Sequence, residues 1–372
     1  MAINEPLELE APSQAVLQNM EESEHEEVLF CFDKASGLRA IIAIHNTCLG
    51  AALGGVRMWP YESEAAALAD VLRLSRGMTY KAAVSGLNLG GGKAVIIGDP
   101  RRHKTEHLLR RFGQFVHDLG GKYITAEDVG MTSRDMEFIR MSTPYVSGLP
   151  THLGGSGNPS PFTAFGVYMG MKAAAKKVFG SDSLENKKIV VQGCGSVGQN
   201  LVGLLAKENA RIWVTDIYED KIKEVTSEYP SVQVSDPEEI YDMDMDIYAP
   251  CALGGTLNDL TIPRLKCSIV AGAANNQLLN EELHSRELME KGIVYAPDFL
   301  INAGGLINVY NEYQGNYNRE RAMEQTRHIY DLTLEILNTA SQNGQTPLAA
   351  AKARAEARLK TAAQLKIPFT RA

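Results

Sequence analysis

The sequence contains few cysteines, and they follow no pattern that would organise a small domain. There are five, an odd number, and no two of them form a CxxC pair. This spacing argues against a disulfide framework and against a cysteine zinc site. We interpret all of them as reduced thiols that pack inside the chain: Cys31, Cys48, Cys194, Cys251 and Cys267.

Long apolar runs and an excess of positive charge are also missing. No segment approaches 18 uninterrupted apolar residues, and residues 1–27 lack the basic, apolar and small-residue succession of a secretory signal. The formal net charge is -8, with Lys and Arg scattered along the chain. These features predict a cytoplasmic protein and exclude nucleic acids and membranes as partners.

One pair of histidines has the spacing of metal ligands. His103 and His107 lie four residues apart and could share a helix face. The stretch around them is charged and solvated, with no third ligand and no general base between the two. We therefore predict no metal site.

The length and composition predict two domains. A chain of 372 residues with 44% apolar content can bury more surface than one ordinary domain needs. A segment rich in Gly, Pro and Ser at residues 153–161 has the composition of a hinge. We predict a substrate-binding and catalytic domain at 1–150, joined by a C-terminal helix at 345–372 that packs back on it. The prediction for 151–344 is a cofactor domain.

The two halves differ in their hydrophobic pattern. In the first, strand-like runs at 28–32, 39–45 and 94–97 accompany helical stripes at 63–81, 106–119 and 133–141, which predicts an α/β domain with a mixed sheet. In the second, apolar runs at 188–192, 211–215, 245–248, 268–271 and 293–296 alternate with helical patterns. Such alternation is typical of a doubly wound, mostly parallel Rossmann sheet.

A glycine fingerprint follows the first strand of the second half. It reads Gly193-Cys194-Gly195-Ser196-Val197-Gly198 and opens a predicted helix. Glycines permit a tight turn and close backbone approach, while a helix N-terminus offers N–H groups to a pyrophosphate. Asp216 ends the next strand, where an acid accepts hydrogen bonds from the adenosine ribose and repels a 2′-phosphate. The pattern therefore favours NAD over NADP.

The first half contains two lysines in unusual surroundings and a candidate proton carrier. Lys93 follows three glycines, which we interpret as leaving room for a ligand beside the backbone. Lys81 ends a predicted helix, and two ammonium groups in one cleft would favour loss of a proton from one of them. A neutral lysine is a competent general base. Asp128 could relay protons near such a base, although it could equally cap a turn.

The motifs together resemble the glutamate/leucine/phenylalanine/valine dehydrogenase superfamily, and within it the branch that acts on leucine. The similarity runs from about residue 28 to residue 358 and rests on segments 53–58, 78–81, 87–100, 126–130, 156–161, 249–254, 272–277 and 301–305. So many motifs in the same order are highly specific. The resemblance implies oxidative deamination of an amino acid, with hydride transfer from Cα to NAD and hydrolysis of the imine to a 2-oxo acid and ammonia.

The resemblance also implies a role for individual residues. Lys93 would be the general base that activates water, Lys81 would hold the substrate α-carboxylate, and Asp128 would shuttle protons at the amine. Asn275 would help to hold the carboxylate and the nicotinamide ribose, while Thr163 would contact the nicotinamide carboxamide.

The predicted substrate is a branched aliphatic L-amino acid such as leucine, with valine and isoleucine as further substrates. In glutamate dehydrogenases the resemblance places a lysine at the position of Leu53, which cannot pair with a side-chain carboxylate. Residues predicted to line or border an apolar substrate site are Leu53, Gly54, Gly55, Met78, Ala126 and Leu306.

Three alternatives remain open from the sequence. The chain could act on phenylalanine or another amino acid of the same superfamily, since a sequence does not measure pocket volume. It could bind NAD without catalysis, because a fold does not fix a function. A third alternative is an aldehyde oxidoreductase with Cys251 as nucleophile, although no histidine lies in a recognisable partner motif. The resemblance further implies a homo-oligomer, an octamer.

Overall fold

The computed structural model describes residues 16–365, which divide into two compact units. The first unit comprises residues 16–79 and 90–146, and the second comprises residues 80–89 and 147–365. Residues 1–15 of the acidic N-terminal segment and residues 366–372 of the predicted last helix lie outside the described part. The division differs from the predicted boundaries because residues 80–89 and the C-terminal helix belong to the second unit.

The first unit contains an N-terminal helix, a sheet and three further helices. In chain order these elements are α1 (Val16–Ser23), β1 (Glu27–Asp33), β2 (Leu38–Asn46), β3 (Ala52–Trp59), α2 (Glu64–Val84), β4 (Gly90–Ile97), α3 (Glu106–Asp118), β5 (Tyr123–Glu127) and α4 (Ser133–Arg140). The division between the units falls within α2, after Thr79.

The sheet of the first unit is mixed, as predicted. Its strand order is β1-β2-β4-β3-β5, with β1 and β4 antiparallel to β2, and β3 parallel to both β4 and β5. The sequence analysis did not identify β3 or β5 as strands, although β3 lies between two others. Strand β3 contains the motif residues 53–58, and β5 ends directly before Asp128.

Helix α2 covers one face of this sheet through the apolar stripe that the sequence predicts. Leu68, Val71 and Leu72 are buried together with Ile41 of β2 and Val95 of β4. The three- and four-residue spacing places these helical side chains on one face, and their burial stabilises the α2–sheet layer.

The second unit alternates strands and helices and ends in five helices. This unit includes the last residues of α2. Its other elements, in chain order, are α5 (Ser160–Phe179), β6 (Lys188–Gln192), α6 (Ser196–Lys207), β7 (Arg211–Thr215), α7 (Glu219–Glu228), β8 (Gln233–Val234), β9 (Ile247–Pro250), β10 (Ile269–Val270), α8 (Glu281–Glu290), β11 (Val294–Tyr295), α9 (Asp298–Ile301), α10 (Gly304–Tyr313), α11 (Arg319–Arg327), α12 (Ile329–Asn343) and α13 (Pro347–Leu365).

The second sheet is parallel throughout and has the Rossmann order. Its strands run β11-β10-β9-β6-β7-β8. The chain winds outward in one direction from β6 and then in the other from β9, so the order reverses between these two neighbours. Ligands of doubly wound sheets bind outside the carboxyl ends of the strands at such a reversal.

The C-terminal helix α13 belongs to the second unit, and within it contacts residues 80–89, which the sequence analysis had placed in the first domain. It contacts α12 and α8. Arg358 donates hydrogen bonds to the carbonyls of Ala82, Ala83, Gly86 and Leu87, which follow or end α2. A guanidinium at the end of a helix satisfies carbonyl groups that have no partner within the helix. Among residues 16–365, no helix has the length and apolar character needed to cross a membrane.

Candidate active site

The first unit brings Lys93 and Asp128 together. Lys93 Nζ lies 2.9 Å from Asp128 Oδ2, and Lys93 is 6% exposed. Lys93 belongs to β4, whereas Asp128 directly follows β5. A buried ammonium needs a partner of opposite charge, and Asp128 supplies it. The pair therefore places an amine and a carboxylate in direct contact at a buried position.

Gly55 of β3 creates the space in which this pair forms. It lies opposite Ala126 of β5. A Cβ at position 55 would lie 2.6 Å from the Glu127 carbonyl oxygen and 2.8 Å from Asp128 Cβ. Any larger residue would push Asp128 away from Lys93. Position 55 therefore requires glycine, because a side chain would clash with Glu127 and Asp128.

Arg57 is a member of the site that the sequence analysis missed. Its Nε lies 3.0 Å from Asp128 Oδ2, the same oxygen that Lys93 contacts. Its Nη1 lies 3.0 Å from Asp70 Oδ2 on α2. A signal was available in the sequence, because Arg57 interrupts the apolar pair Val56 and Met58 within a strand.

The two cations decide the ionisation of Asp128. Burial by itself would raise the pKa of Asp128, but the charges of Lys93 and Arg57 outweigh burial and lower it. Burial raises the pKa of the neighbouring Glu127, which has no comparable partner. Asp128 therefore stays ionised near neutral pH.

The loop after β5 is fixed by the start of α4. Thr132 and Asp135 form a capping box, in which the side-chain oxygen of each residue accepts a hydrogen bond from the backbone N–H of the other. Lys104 Nζ lies 2.6 Å from Asp135 Oδ2 and donates to the Gly130 carbonyl oxygen at 2.9 Å. These contacts restrict the loop two residues beyond Asp128.

The three glycines before Lys93 have a different function from the one we predicted. A Cβ at Gly90 would lie 2.1 Å from the Asn46 carbonyl oxygen, and one at Gly91 would lie 2.1 Å from Thr79 Oγ1. At Gly92 a Cβ would meet the ring of Tyr123 at 2.7 Å. The glycines therefore admit a neighbouring strand, helix α2 and a tyrosine ring, and the interpretation as open space for a ligand is wrong.

The predicted substrate residues are divided between the units. Leu53, Gly54 and Gly55 lie on β3, Ala126 lies on β5, and Met78 lies on α2, where its Cγ would be 3.4 Å from a Cβ at Gly54. Leu53 and Ala126 are buried. Lys81, Asn275 and Leu306 belong to the second unit.

The glycine fingerprint lies at the reversal of the second sheet. Gly193 has φ 110°, and a Cβ there would lie 2.8 Å from the backbone nitrogen of Ala252, beyond β9. At Gly198, a Cβ would lie 2.0 Å from the Gly193 carbonyl oxygen. These two glycines therefore set the tight turn and the close contact between turn and helix.

The remaining fingerprint residues fit a dinucleotide. A Cβ at Gly195 would meet nothing within 4 Å, so the loop is open at this point. Ser196 and Val197 form the first turn of α6, whose start has no side-chain cap within the described chain. The N–H groups of this turn are therefore available to an anion. Asp216 Oδ2 accepts from the Cys194 backbone N–H at 2.6 Å, which places its carboxylate beside the loop.

Lys81 and Asn275 meet within the second unit. Lys81 Nζ donates to Asn275 Oδ1 at 3.2 Å, and Asn302 Nδ2 donates to the same oxygen at 2.9 Å. Asp298, another residue the sequence analysis missed, accepts from the Gln277 backbone N–H at 3.0 Å. Burial raises the pKa of Asp298, and the charge of Lys81 opposes this shift. Asp298 thereby holds the segment that carries Asn275.

Thr163 packs against the start of α10. Its Oγ1 donates to the Pro159 carbonyl oxygen at 3.2 Å, and a Cβ at Gly305 would lie 2.6 Å from Thr163 Oγ1. Leu306, the next residue, is buried. The absence of a side chain at Gly305 therefore leaves space beside the Thr163 hydroxyl.

Cys251 is not suited to act as a nucleophile. Burial raises the pKa of its thiol to about 12, so the reactive thiolate is absent near neutral pH. The oxidoreductase that we considered with Cys251 as nucleophile finds no support in this geometry.

Two family models match the chain across both units. Residues 25–145 match the Glu/Leu/Phe/Val dehydrogenase dimerisation domain, and residues 154–218 and 214–366 match Glutamate/Leucine/Phenylalanine/Valine dehydrogenase. The fold and the site define an NAD(P)-dependent amino-acid dehydrogenase. The chain belongs to the glutamate/leucine/phenylalanine/valine dehydrogenase family, which confirms the resemblance found in the sequence.

Individual relatives within the family act on different amino acids. Leucine dehydrogenase of Geobacillus stearothermophilus is 54% identical over 350 residues, which cover 94% of this chain and 95% of the relative. L-tryptophan dehydrogenase of Nostoc punctiforme is 49% identical over 351 residues, covering 94% of this chain and 98% of the relative. A crystal structure of L-tryptophan dehydrogenase from Nostoc punctiforme superimposes with a TM-score of 0.81 at 48% identity, covering 94% of this chain and 100% of that chain.

Proposed function

We propose that the chain catalyses the NAD-dependent, reversible oxidative deamination of branched-chain aliphatic L-amino acids. Leucine would be the principal substrate, with valine and isoleucine as further substrates, and the products would be the 2-oxo acid and ammonia. The observation that carries this proposal is Leu53, which is 2% exposed on β3 next to the site of Lys93. An apolar side chain there would leave the side-chain carboxylate of glutamate unpaired, at a large desolvation cost.

The proposed chemistry assigns one task to each polar residue. The glycine fingerprint and Asp216 would hold NAD, which would supply the acceptor for the hydride of the substrate Cα. Lys93 takes a proton from the water that attacks the resulting imine, and Asp128, in contact with Lys93, carries protons to and from the amine. Lys81 binds the substrate α-carboxylate, and its hydrogen bond to Asn275 fixes the direction of its ammonium group. Thr163 binds the nicotinamide carboxamide.

A preference for branched aliphatic side chains should be broad rather than strict. One methylene in an apolar pocket changes binding by about 1 to 3 kcal/mol, so leucine, isoleucine and valine should all react. The similarity to a tryptophan dehydrogenase supports a second candidate, an enzyme for aromatic amino acids. The two candidates differ in the pocket volume they need.

The experiment that separates them compares initial rates of NADH formation from leucine, isoleucine, valine, phenylalanine, tryptophan and glutamate. We expect the highest kcat/KM with leucine, values within about 200-fold of it for the other branched residues, and very little turnover of glutamate. A higher kcat/KM with phenylalanine or tryptophan would refute the proposed substrate and favour the second candidate.

We predict that Asp216 sets the preference for NAD. In Asp216→Asn the carboxylate loses its charge but keeps an oxygen that can accept from the Cys194 N–H. The repulsion of a 2′-phosphate disappears, so the ratio of kcat/KM for NAD over NADP should fall by about tenfold or more. Equal losses with both cofactors would show that Asp216 only stabilises the loop.

We also propose a homo-oligomer, an octamer, in the cytoplasm. The match of residues 25–145 to a dimerisation domain supports self-association. Phe30 and Phe32 are 52% and 68% exposed on the edge strand β1, a location where a second copy would cover them. The mass in solution, measured by light scattering, tests this proposal.

A further inference from the structure

A single carboxylate oxygen in the first unit receives two cations. Asp128 Oδ2 lies 2.9 Å from Lys93 Nζ and 3.0 Å from Arg57 Nε. Arg57 approaches from β3 and Lys93 from β4, so the two adjacent strands fix both groups. Asp128 therefore has one cation more than it needs to neutralise its charge.

Arg57 is itself held in place from helix α2. Its Nη1 lies 3.0 Å from Asp70 Oδ2, which also accepts from the Tyr61 hydroxyl at 2.6 Å. Arg73 Nη2 lies 2.8 Å from Asp70 Oδ1. Burial alone would lower the pKa of Arg57, but Asp128 and Asp70 raise it. Arg57 therefore remains a fixed positive charge across the pH range of an assay.

The charges around Lys93 explain why a second cation is useful. An unopposed carboxylate beside a lysine stabilises the ammonium form and so opposes the loss of the proton that a base must lose first. The other ionisable groups around Asp128 are Tyr123, whose pKa is raised by burial, and Glu127. Tyr123 is neutral near neutral pH and Glu127 adds negative charge, so Arg57 is the group that can offset Asp128.

We propose that Arg57 is a positioning residue that aligns Asp128 on Lys93 and balances its negative charge, so that Lys93 can release its proton. This inference rests on the proposed roles of Lys93 and Asp128. It assigns the Asp70 cluster, defined as Asp70 and Tyr61, the task of fixing Arg57, because both Arg57 and the Tyr61 hydroxyl contact Asp70 Oδ2. The proton leaves the Lys93 ammonium for solvent before the reaction, and Arg57 keeps its own proton throughout.

The test is the pH dependence of kcat/KM for leucine. In Arg57→Gln the charge of Asp128 is unopposed, so we expect the acidic limb to move to higher pH by about one unit. In Asp70→Asn the charge of Arg57 is less neutralised, and the limb should move to lower pH. The ionisation of the substrate is identical in all variants, so it does not contribute to these shifts.

Arg73→Gln is the matched control, since Arg73 pairs with Asp70 through Oδ1, the oxygen that Arg57 does not contact. We expect its limb to move by much less than that of Arg57→Gln. A loss of rate in Arg57→Gln with an unmoved limb would overturn the proposal and leave Arg57 a structural residue. If Arg57→Gln does not fold, an unmoved limb in Asp70→Asn overturns it equally.

The proposed function is tested separately in the same set of measurements. If Lys93→Ala retains turnover, the role of Lys93 fails whatever the Arg57 variants do. If Lys93→Ala is inactive and the limb of Arg57→Gln is unmoved, only the inference about Arg57 fails.

Discussion

Replacing Lys93 by Ala is expected to reduce kcat for leucine by about 10³-fold or more, at the upper part of the range for the loss of a general base. The side chain is buried and in contact with Asp128, so no solvent-exposed group can substitute for it without a change of structure. Asp128 keeps its ion pair with Arg57 in the variant, so its charge still has a partner. We therefore expect the fold to persist.

NAD affinity should change little in Lys93→Ala, because the glycine fingerprint and Asp216 lie in the second unit. Titration of the variant with NAD measures this directly. Lys122→Ala is the matched control: it removes a lysine of the same unit that pairs with Glu27 at 2.7 Å, and it should leave kcat near the wild-type value. A near-normal kcat in Lys93→Ala would remove the proposed base.

The second large effect is on stability, at Gly54 of β3. A Cβ at this position would lie 1.8 Å from the Gly92 carbonyl oxygen and 2.8 Å from the Gly92 carbonyl carbon. Both atoms belong to the backbone of β4, which cannot rotate away as a side chain can. We expect Gly54→Ala to lower the free energy of unfolding by about 3 kcal/mol or more, a large part of the 5 to 15 kcal/mol of a typical protein.

The measurement is the urea midpoint of unfolding, followed by a probe in the first unit. Gly77→Ala is the matched control, because a Cβ at Gly77 meets nothing within 4 Å and the residue lies inside α2. Alanine is the better helix former by about 1 kcal/mol, so this variant should be as stable as the wild type or more so. A wild-type midpoint in Gly54→Ala would show that β3 and β4 are not packed as described.

The second sheet was largely predictable because its signals are local. The strands are short apolar runs, and the fingerprint Gly193 to Gly198 lies in contiguous sequence between β6 and α6. Strand β8 was missed because it has only two residues, both exposed. The family resemblance added the roles of Lys81 and Asn275, which spacing alone would not suggest.

The first sheet was less predictable because β3 contradicts strand propensity. It contains Gly54, Gly55 and Arg57, residue types that are rare inside a buried strand, and it exists because β4 and β5 pair with it on both sides. Pairing between distant segments also decides the site. Arg57 and Asp128 are 71 positions apart, and no local pattern indicates that they meet.

The individual partners of the last helix could not be predicted for the same reason. Its amphipathic pattern is weak, and its hydrogen bonds include those of Arg358, whose partners lie more than 270 positions earlier in the chain. The sequence contains the residues of this contact but not the geometry that selects them.

The central claim is that Lys93 and Asp128 form one catalytic unit. A double-mutant cycle on kcat for leucine, with Lys93→Ala, Asp128→Ala and the combination, tests it most directly. Groups that act together are strongly non-additive, so the double variant should be hardly slower than Lys93→Ala alone. Losses that multiply, or single variants that both retain near wild-type kcat, would contradict the claim.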